Sequence, residues 1–338
     1  MSACLIGDCR DSMRQLIAHG RRVQMCVTSP PYFGLRDYGV DGQLGLEATP
    51  QEFVANMVEV FSLVRDLLAD DGTLWLNMGD SYAGSRSDLR VVGLKPKDLM
   101  GMPWRLAFAL QADGWYLRQD ILWHKPNPMP ESVTDRCTKA HEYLFLLSKS
   151  ERYFWDYAAM QERACAADIG AMDGGAQRLR DGSNANDGRN FRVPGNVNPP
   201  KGQRAYEMGD ESHRTKAGLL AYSFKRKTQT TPPPRQPDQH REDREDVHYV
   251  GTRNRRSVWT VATTPYSGAH FATFPPALIE PCILAGSRPG DTVLDPFFGS
   301  GTTGQVAQRL GRQWIGCELN PAYVELQERR TAQIGMEL

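Results

Sequence analysis

Glycines 299, 301 and 304 stand directly after the apolar run Asp291-Thr292-Val293-Leu294 and open a helical pattern over 301–310. A second apolar run, 313–317, follows and ends at Glu318. Strand, glycine turn, helix, strand and acid are the parts of a nucleotide-binding βαβ unit: the backbone approaches the ligand at the glycines, and the acid takes ribose hydroxyls. A P-loop is excluded, because no Gly-Lys-Ser/Thr is present. With residue 338 the last, too little chain follows Gly304 for a second dinucleotide-binding half and a catalytic domain. The preceding Asp295-Pro296-Phe297-Phe298 suits an adenosyl group with a charged amino-acid tail, so S-adenosylmethionine is the expected cofactor.

The first ~150 residues keep the same alternating rhythm. Apolar runs at 22–28, 72–78, 116–123 and 143–147 read as strands. Residues 50–68, with Thr49 as cap, and 104–112 read as helices. Beyond the middle of the chain, 275–285 and 321–333 are further helix candidates. This pattern predicts a parallel sheet covered by helices. The middle differs: 161–256 is rich in Gly, Asn, Asp, Arg and Pro and includes Thr231-Pro232-Pro233-Pro234. It reads either as a disordered linker or as an inserted recognition region that orders on a partner. The expected division is a catalytic half over 1–160, a target-recognition insertion over 161–256, partly loop-rich or disordered, and a cofactor-binding half over 257–338.

Thr28-Ser29-Pro30-Pro31-Tyr32 closes the strand at 22–28, at the edge where open α/β sheets bind ligands. Consecutive prolines fix φ and donate no hydrogen bond, so carbonyls in the turn can be aimed at a ligand. An amino group at this corner meets two acceptors, the Ser29 hydroxyl and the Pro30 carbonyl. Tyr32 adds a flat face for stacking.

Ser-Pro-Pro-Tyr near the N-terminus and Asp-Pro-Phe-x-Gly-Ser-Gly-Thr-Thr near the C-terminus together resemble the β-class DNA amino-methyltransferases. The resemblance covers about 1–150 and 257–335. It implies an α/β fold: the Rossmann-like sheet of S-adenosylmethionine-dependent methyltransferases, circularly permuted, with an inserted target-recognition region. The implied activity is methyl transfer to the exocyclic amine of a flipped base, cytosine N4 or adenine N6, in duplex DNA. Ser29, Pro30, Pro31 and Tyr32 would then be catalytic, and Tyr32 with Phe33 would stack the flipped base. Asp295, Pro296, Phe297, Gly299, Ser300, Gly301, Thr302 and Glu318 would hold the cofactor, with Asp8 a further candidate for its adenine. Lys125 and Arg253, Arg255 and Arg256 are candidates for contacts to DNA. A homodimer and a cognate restriction endonuclease are compatible partners. Ser at position 29 leans to cytosine N4 within the family, although either base offers an amine beside a ring nitrogen.

Charge and cysteine content narrow the alternatives. Lys and Arg together number 40, as do Asp and Glu, so the whole chain lacks the basic excess of many nucleic-acid binders. The stretch 213–256 nevertheless has a local excess of Lys and Arg, while 240–246 is a mixed charge run that reads as a solvated segment. Seven cysteines without a C-x-x-C pair argue against a disulfide framework and a structural zinc, and no metal is expected. Neither an export signal nor a membrane-spanning run is read, which makes the bacterial or phage-infected cytoplasm, on the nucleoid, the expected compartment. Pro281-Cys282 resembles the nucleophile of C5-cytosine methyltransferases but lies in a helical pattern before the glycine loop, the wrong side for that class. An RNA or small-molecule amino-methyltransferase, or an inactive DNA-binding relative, would share the fold.

Overall fold

The computed structural model describes residues 2–84, 93–164, 252–263 and 274–332. The chain divides into two compact units, Met1–Glu162 with Arg253–Leu338, and Arg163–Thr252. Nearly all described residues belong to the first. The charge run at 240–246 and most of the basic stretch 213–256 lie outside the described residues.

Strands β1 (Ala3–Ile6), β2 (Val23–Thr28), β3 (Leu68–Met78), β4 (Tyr116–His124) and β5 (His141–Ser148) come from the N-terminal part. Strands β8 (Val258–Thr260), β9 (Thr292–Asp295) and β10 (Gln313–Glu318) come from the C-terminal part. They form one eight-stranded sheet in the order β1-β10-β9-β2-β3-β5-β4-β8. Two short strands, β6 (Gln161–Arg163) and β7 (Thr252–Asn254), pair separately.

The expected parallel sheet is mixed. β1, β10, β9, β2 and β3 run parallel, but β5 is antiparallel to both β3 and β4. Helix α3 (Met102–Ala112) carries the chain across to β4 in the direction of β3, and β5 fills the gap between them running the other way. No helix separates β4 from β5, so a parallel crossover is not required there.

Helix α2 (Pro50–Leu67) shows why the local sequence folds as it does. Thr49 Oγ1 accepts from the Glu52 N–H at 3.2 Å and the Glu52 carboxylate accepts from the Thr49 N–H at 3.3 Å, a reciprocal cap with Pro50 in the first turn. Phe53, Met57, Val60, Phe61, Val64 and Leu67 then fall on one buried stripe. Leu68 leaves helical geometry and begins β3 at once, four residues before the sequence reading places it.

Period two along the strands divides the core. Leu74, Leu76, Phe145 and Leu147 face α2 and α3, while Trp75, Leu144 and Leu146 face the other layer. That second layer contains α4 (Pro276–Gly286) and α5 (Thr302–Arg309). Helix α1 (Cys9–Ala18) packs beside α2, and α6 (Val324–Ala332) follows a 3-10 turn at Pro321–Tyr323. Cys282 is fully buried in α4 and burial raises its thiol well above the ordinary value, so it is no nucleophile.

Candidate active site

Because β2, β9 and β10 are parallel neighbours, their C-terminal ends, Thr28, Asp295 and Glu318, share one edge. The sequence elements singled out at opposite ends of the chain therefore meet there.

Asp295 is 1% exposed. Its Oδ1 accepts from Thr28 Oγ1 at 2.6 Å and from the Phe297 N–H at 3.0 Å, and Oδ2 accepts from Thr303 Oγ1 at 2.6 Å. Burial raises its carboxyl to about 6 despite these donors. Asp295 thus braces the glycine loop against the end of β2. Thr28 and Thr303 were not singled out in the sequence, because their roles depend on strand adjacency.

The glycines divide their work. A Cβ on Gly299, at φ +52°, would meet nothing closer than Phe297 O at 3.9 Å. The loop therefore offers open space where a ligand would approach. Gly301, at φ +84°, caps α5 without a side-chain hydrogen bond, so the N–H groups of the first helical turn remain suited to an anion. Gly304 instead makes room for the Phe298 ring: a Cβ there would lie 2.7 Å from Phe298 Cζ. Gly316 serves the same ring, which stacks on Trp314 at 4.9 Å. The loop is held from behind by α6: Gln327 Nε2 donates to Gly299 O at 2.7 Å and Arg330 Nη1 to Ser300 Oγ at 2.6 Å. Ser300 consequently turns inward, as a brace for the loop. Pro296 and Thr302 are buried, whereas Phe297 is half-buried.

Glu318 accepts from the Gly299 N–H at 2.7 Å through Oε2 and from the Asn320 N–H at 2.8 Å through Oε1. Burial first, and Asp295 in addition, raise its carboxyl to about 7. Gly7, at the end of β1, donates its N–H to Glu318 O at 2.8 Å, which brings the β1–α1 turn to this edge. Asp8 in that turn caps α1 and pairs with Arg10 at 2.6 Å; the Arg10 hydrogen bonds hold its carboxyl below the usual range.

At the other side of the edge, Ser29 and Tyr32 are half-buried and Pro30 is buried. Ser29 Oγ donates to Tyr32 OH at 3.3 Å, and Tyr32 OH donates to Glu142 Oε2 at 2.8 Å. Asn77 Nδ2 donates to both Tyr32 OH and Glu142 Oε2, at 3.1 and 2.8 Å. Burial, then the Glu142 charge, push the Tyr32 phenol well above its ordinary value, which keeps it a neutral donor. Gly79 leaves room for the ring, since a Cβ there would lie 2.7 Å from Tyr32 Cε2.

One expectation about DNA contacts changes. Phe33 is 2% exposed and packs in the core 5.7 Å from Phe53, so its ring cannot stack an incoming base. Apolar burial captures it one residue after the turn. Lys125 Nζ pairs with Glu142 and lies 4.3 Å from the Trp123 ring centroid. Arg253 pairs with Glu162 at 2.8 Å, Arg255 stacks over Trp259 at 4.4 Å, and Arg256 is exposed. These arginines precede β8, whose C-terminal residue pairs with His124, so they lie back along the sheet from the Ser29 corner.

Comparison with known proteins shows which family the chain belongs to. A family model for N6/N4 methyltransferases, described as DNA methylase, matches residues 23–329. The chain is 43% identical over 337 residues to the Type II methyltransferase M.XycI of Xanthomonas campestris pv. cyanopsidis, covering 95% of this chain and 84% of that one. It is 41% identical to the Type II methyltransferase M.Cfr9I of Citrobacter freundii, covering 96% of this chain and 85% of the relative. Among solved structures, the PvuII DNA methyltransferase (cytosine-N4-specific) shares the fold with a TM-score of 0.54 at 18% identity, covering 98% of this chain and 89% of that chain.

Proposed function

The chain belongs to the N6/N4 DNA methylase family, and we propose that its β2–β9–β10 edge transfers a methyl group to the exocyclic amine of a target base through Ser29, Pro30 and Tyr32. The protein is a DNA methyltransferase, and its cofactor is S-adenosylmethionine. The observation that carries the assignment of the site is the Thr28–Asp295 hydrogen bond, which fixes the acceptor turn beside the glycine loop.

When bound, S-adenosylmethionine supplies an electrophilic methyl group on a sulfonium. The residues present fit it. Glu318, ionised, would accept the ribose hydroxyls, and the uncapped first turn of α5 would meet the carboxylate of the amino-acid tail. Gly299 would let the backbone come close, and Phe297 offers a half-buried apolar face.

An exocyclic amine is a poor nucleophile because its lone pair is delocalised into the ring. Ser29 Oγ and the Pro30 carbonyl would accept its two hydrogens and so favour a pyramidal nitrogen. The prolines hold both acceptors in place at no cost in ladder hydrogen bonds. Transfer is then direct, with no covalent bond to the enzyme; Cys282 is buried elsewhere. The target base must leave the duplex to reach the corner, and the Tyr32 ring would stack it, its edge anchored by Glu142 and Asn77.

Among amino targets, Ser29 favours cytosine N4. The region 161–256 is assigned to reading the target sequence, and the Type II names of the relatives support a pairing with a restriction endonuclease. The test is to express the protein in a methylation-deficient host and map modified bases by mass spectrometry and sequencing. N4-methylcytosine at one short motif is expected. N6-methyladenine would reassign the base, and unmodified DNA from a protein that binds cofactor would overturn the activity.

A further inference from the structure

Glu142 is a half-buried carboxylate where stability alone does not require one. Burying a charge costs several kcal/mol unless partners offset it, and here three donors converge on it: Tyr32 OH, Asn77 Nδ2 and Lys125 Nζ. Its position relative to the acceptor turn is specific. From Ser29 Oγ, the group that would face the target amine, hydrogen bonds run 3.3 Å to Tyr32 OH and 2.8 Å on to Glu142 Oε2. The two hydroxyls and the carboxylate form one continuous hydrogen-bonded chain.

We propose that Glu142 is the terminal proton acceptor of the reaction, reached through a relay of the Ser29 and Tyr32 hydroxyls. This rests on the amino-methyltransferase reading above. As the N–C bond forms, the electron pair of the breaking S–C bond goes to sulfur and the amine nitrogen becomes cationic. One amine proton then passes to Ser29 Oγ, the Ser29 hydroxyl proton to Tyr32 O, and the Tyr32 proton to Glu142 Oε2. The product is a neutral methylamino base, both hydroxyls are restored, and Glu142 carries the proton until solvent removes it. A protonated amine conjugated to a nucleobase ring is a strong acid, so the carboxylate need not be a strong base.

The groups around Glu142 suit this role. Lys125 from β4 pairs with its other oxygen, and Lys139 and His141 lie close enough to feel its charge. Lys139, whose ammonium burial pulls down, donates to Asp80 O at 2.6 Å. Tyr32 and Asn77 complete the shell as neutral donors. Lys125, Lys139 and His141 thus stand around one carboxylate.

The experiment is single-turnover methyl transfer to target duplex at saturating cofactor, from pH 5 to 9, with cofactor and DNA affinities measured by calorimetry and fluorescence. Glu142→Gln keeps the shape and the Tyr32 contact but cannot take a proton. Its transfer rate is expected to fall by ~100-fold, with both affinities within about twofold of wild type. Tyr32→Phe keeps the ring but cuts the relay and should fall equally, the double variant no further. Glu142→Asp retains a carboxylate proton acceptor and should recover part of the rate lost in Glu142→Gln. A wild-type rate in Glu142→Gln would overturn the relay. If Glu142→Gln fails to fold, Tyr32→Phe decides, because it removes one hydroxyl only, and a wild-type rate there overturns the proposal. Absence of methylamino product from the wild-type enzyme would instead overturn the activity on which the relay rests, and the relay with it.

Discussion

Thr28 Oγ1 donates to Asp295 Oδ1 at 2.6 Å, joining the last residues of two neighbouring parallel strands that are 267 positions apart in sequence. One residue beyond Thr28 stands Ser29, and two beyond Asp295 stands Phe297, whose N–H donates to the same oxygen. The Thr28–Tyr32 turn and the glycine loop are therefore tied together through one carboxylate. Thr28→Val removes the hydroxyl and little else. It should cost about 1.5–3 kcal/mol of stability, the range for a hydrogen bond to a charged group, and weaken cofactor binding and methyl transfer together. Chemical denaturation and calorimetry check this; wild-type values for both would show the two motifs to be independent.

The carboxyl of Glu318, raised to about 7, gives cofactor binding a pH dependence of known sign. In the role proposed for Glu318, the ionised form accepts ribose hydroxyls best, so affinity should fall as pH drops below about 7, by up to about tenfold per pH unit. For the free protein the sign reverses. The folded-state value lies above the ordinary 4.5, so Glu318 contributes stability that is full below about 4.5 and lost as pH rises through about 7. Calorimetric titrations from pH 5.5 to 8.5 measure the first effect. Glu318→Gln should weaken binding and remove the transition near 7, leaving the smaller one from Asp295 near 6.

Gly299 and Gly316 should respond differently to alanine. At Gly316 the new methyl would lie 2.3 Å from Phe298 Cγ, in a slot closed on the other side by Gly304 and Trp314. Overpacking there should cost about 1–3 kcal/mol and displace the loop. At Gly299 the methyl meets open space, and the cost is the φ of +52°, about 1–2 kcal/mol. Gly299→Ala should therefore lose more cofactor affinity than its stability loss explains. Melting temperature against cofactor affinity for both variants checks the difference, and an equal ratio in the two would refute it.

What sequence patterning could reach was set by burial. The runs ending at Thr28 and Asp295 are almost wholly buried, so they read as apolar strands. β1 is a four-residue edge strand of mostly half-buried residues, and α1 carries Arg10 and Arg14, so neither stood out. The antiparallel placement of β5 depends on which gap the β3–α3–β4 crossover leaves, which no local pattern encodes. Among site residues, the glycines and Glu318 were readable because their spacing is local. Glu142 has no local signal, since its partners Tyr32, Asn77 and Lys125 come from three separate segments. Phe33 was misread for the opposite reason: an aromatic next to a catalytic motif looks functional until the core claims it.

Ser29 separates binding from chemistry. Its hydroxyl is half-buried at the end of β2 and held by Tyr32 OH rather than by the glycine loop. Removing it should leave the cofactor contacts at Gly299 and Glu318 untouched. The base would still stack on Tyr32, an interaction of order ~1–3 kcal/mol, so DNA affinity should hold in Ser29→Ala and fall in Tyr32→Ala. The Ser29 contact strengthens only as the amine pyramidalises, and an interaction made chiefly in the transition state lowers turnover rather than ground-state affinity. Ser29→Ala is therefore expected to bind cofactor and DNA within about twofold of wild type and to transfer methyl ~100-fold more slowly. Single-turnover transfer beside equilibrium DNA binding measures both. A wild-type transfer rate in Ser29→Ala would remove the hydroxyl from the mechanism and leave the Pro30 carbonyl as the remaining acceptor.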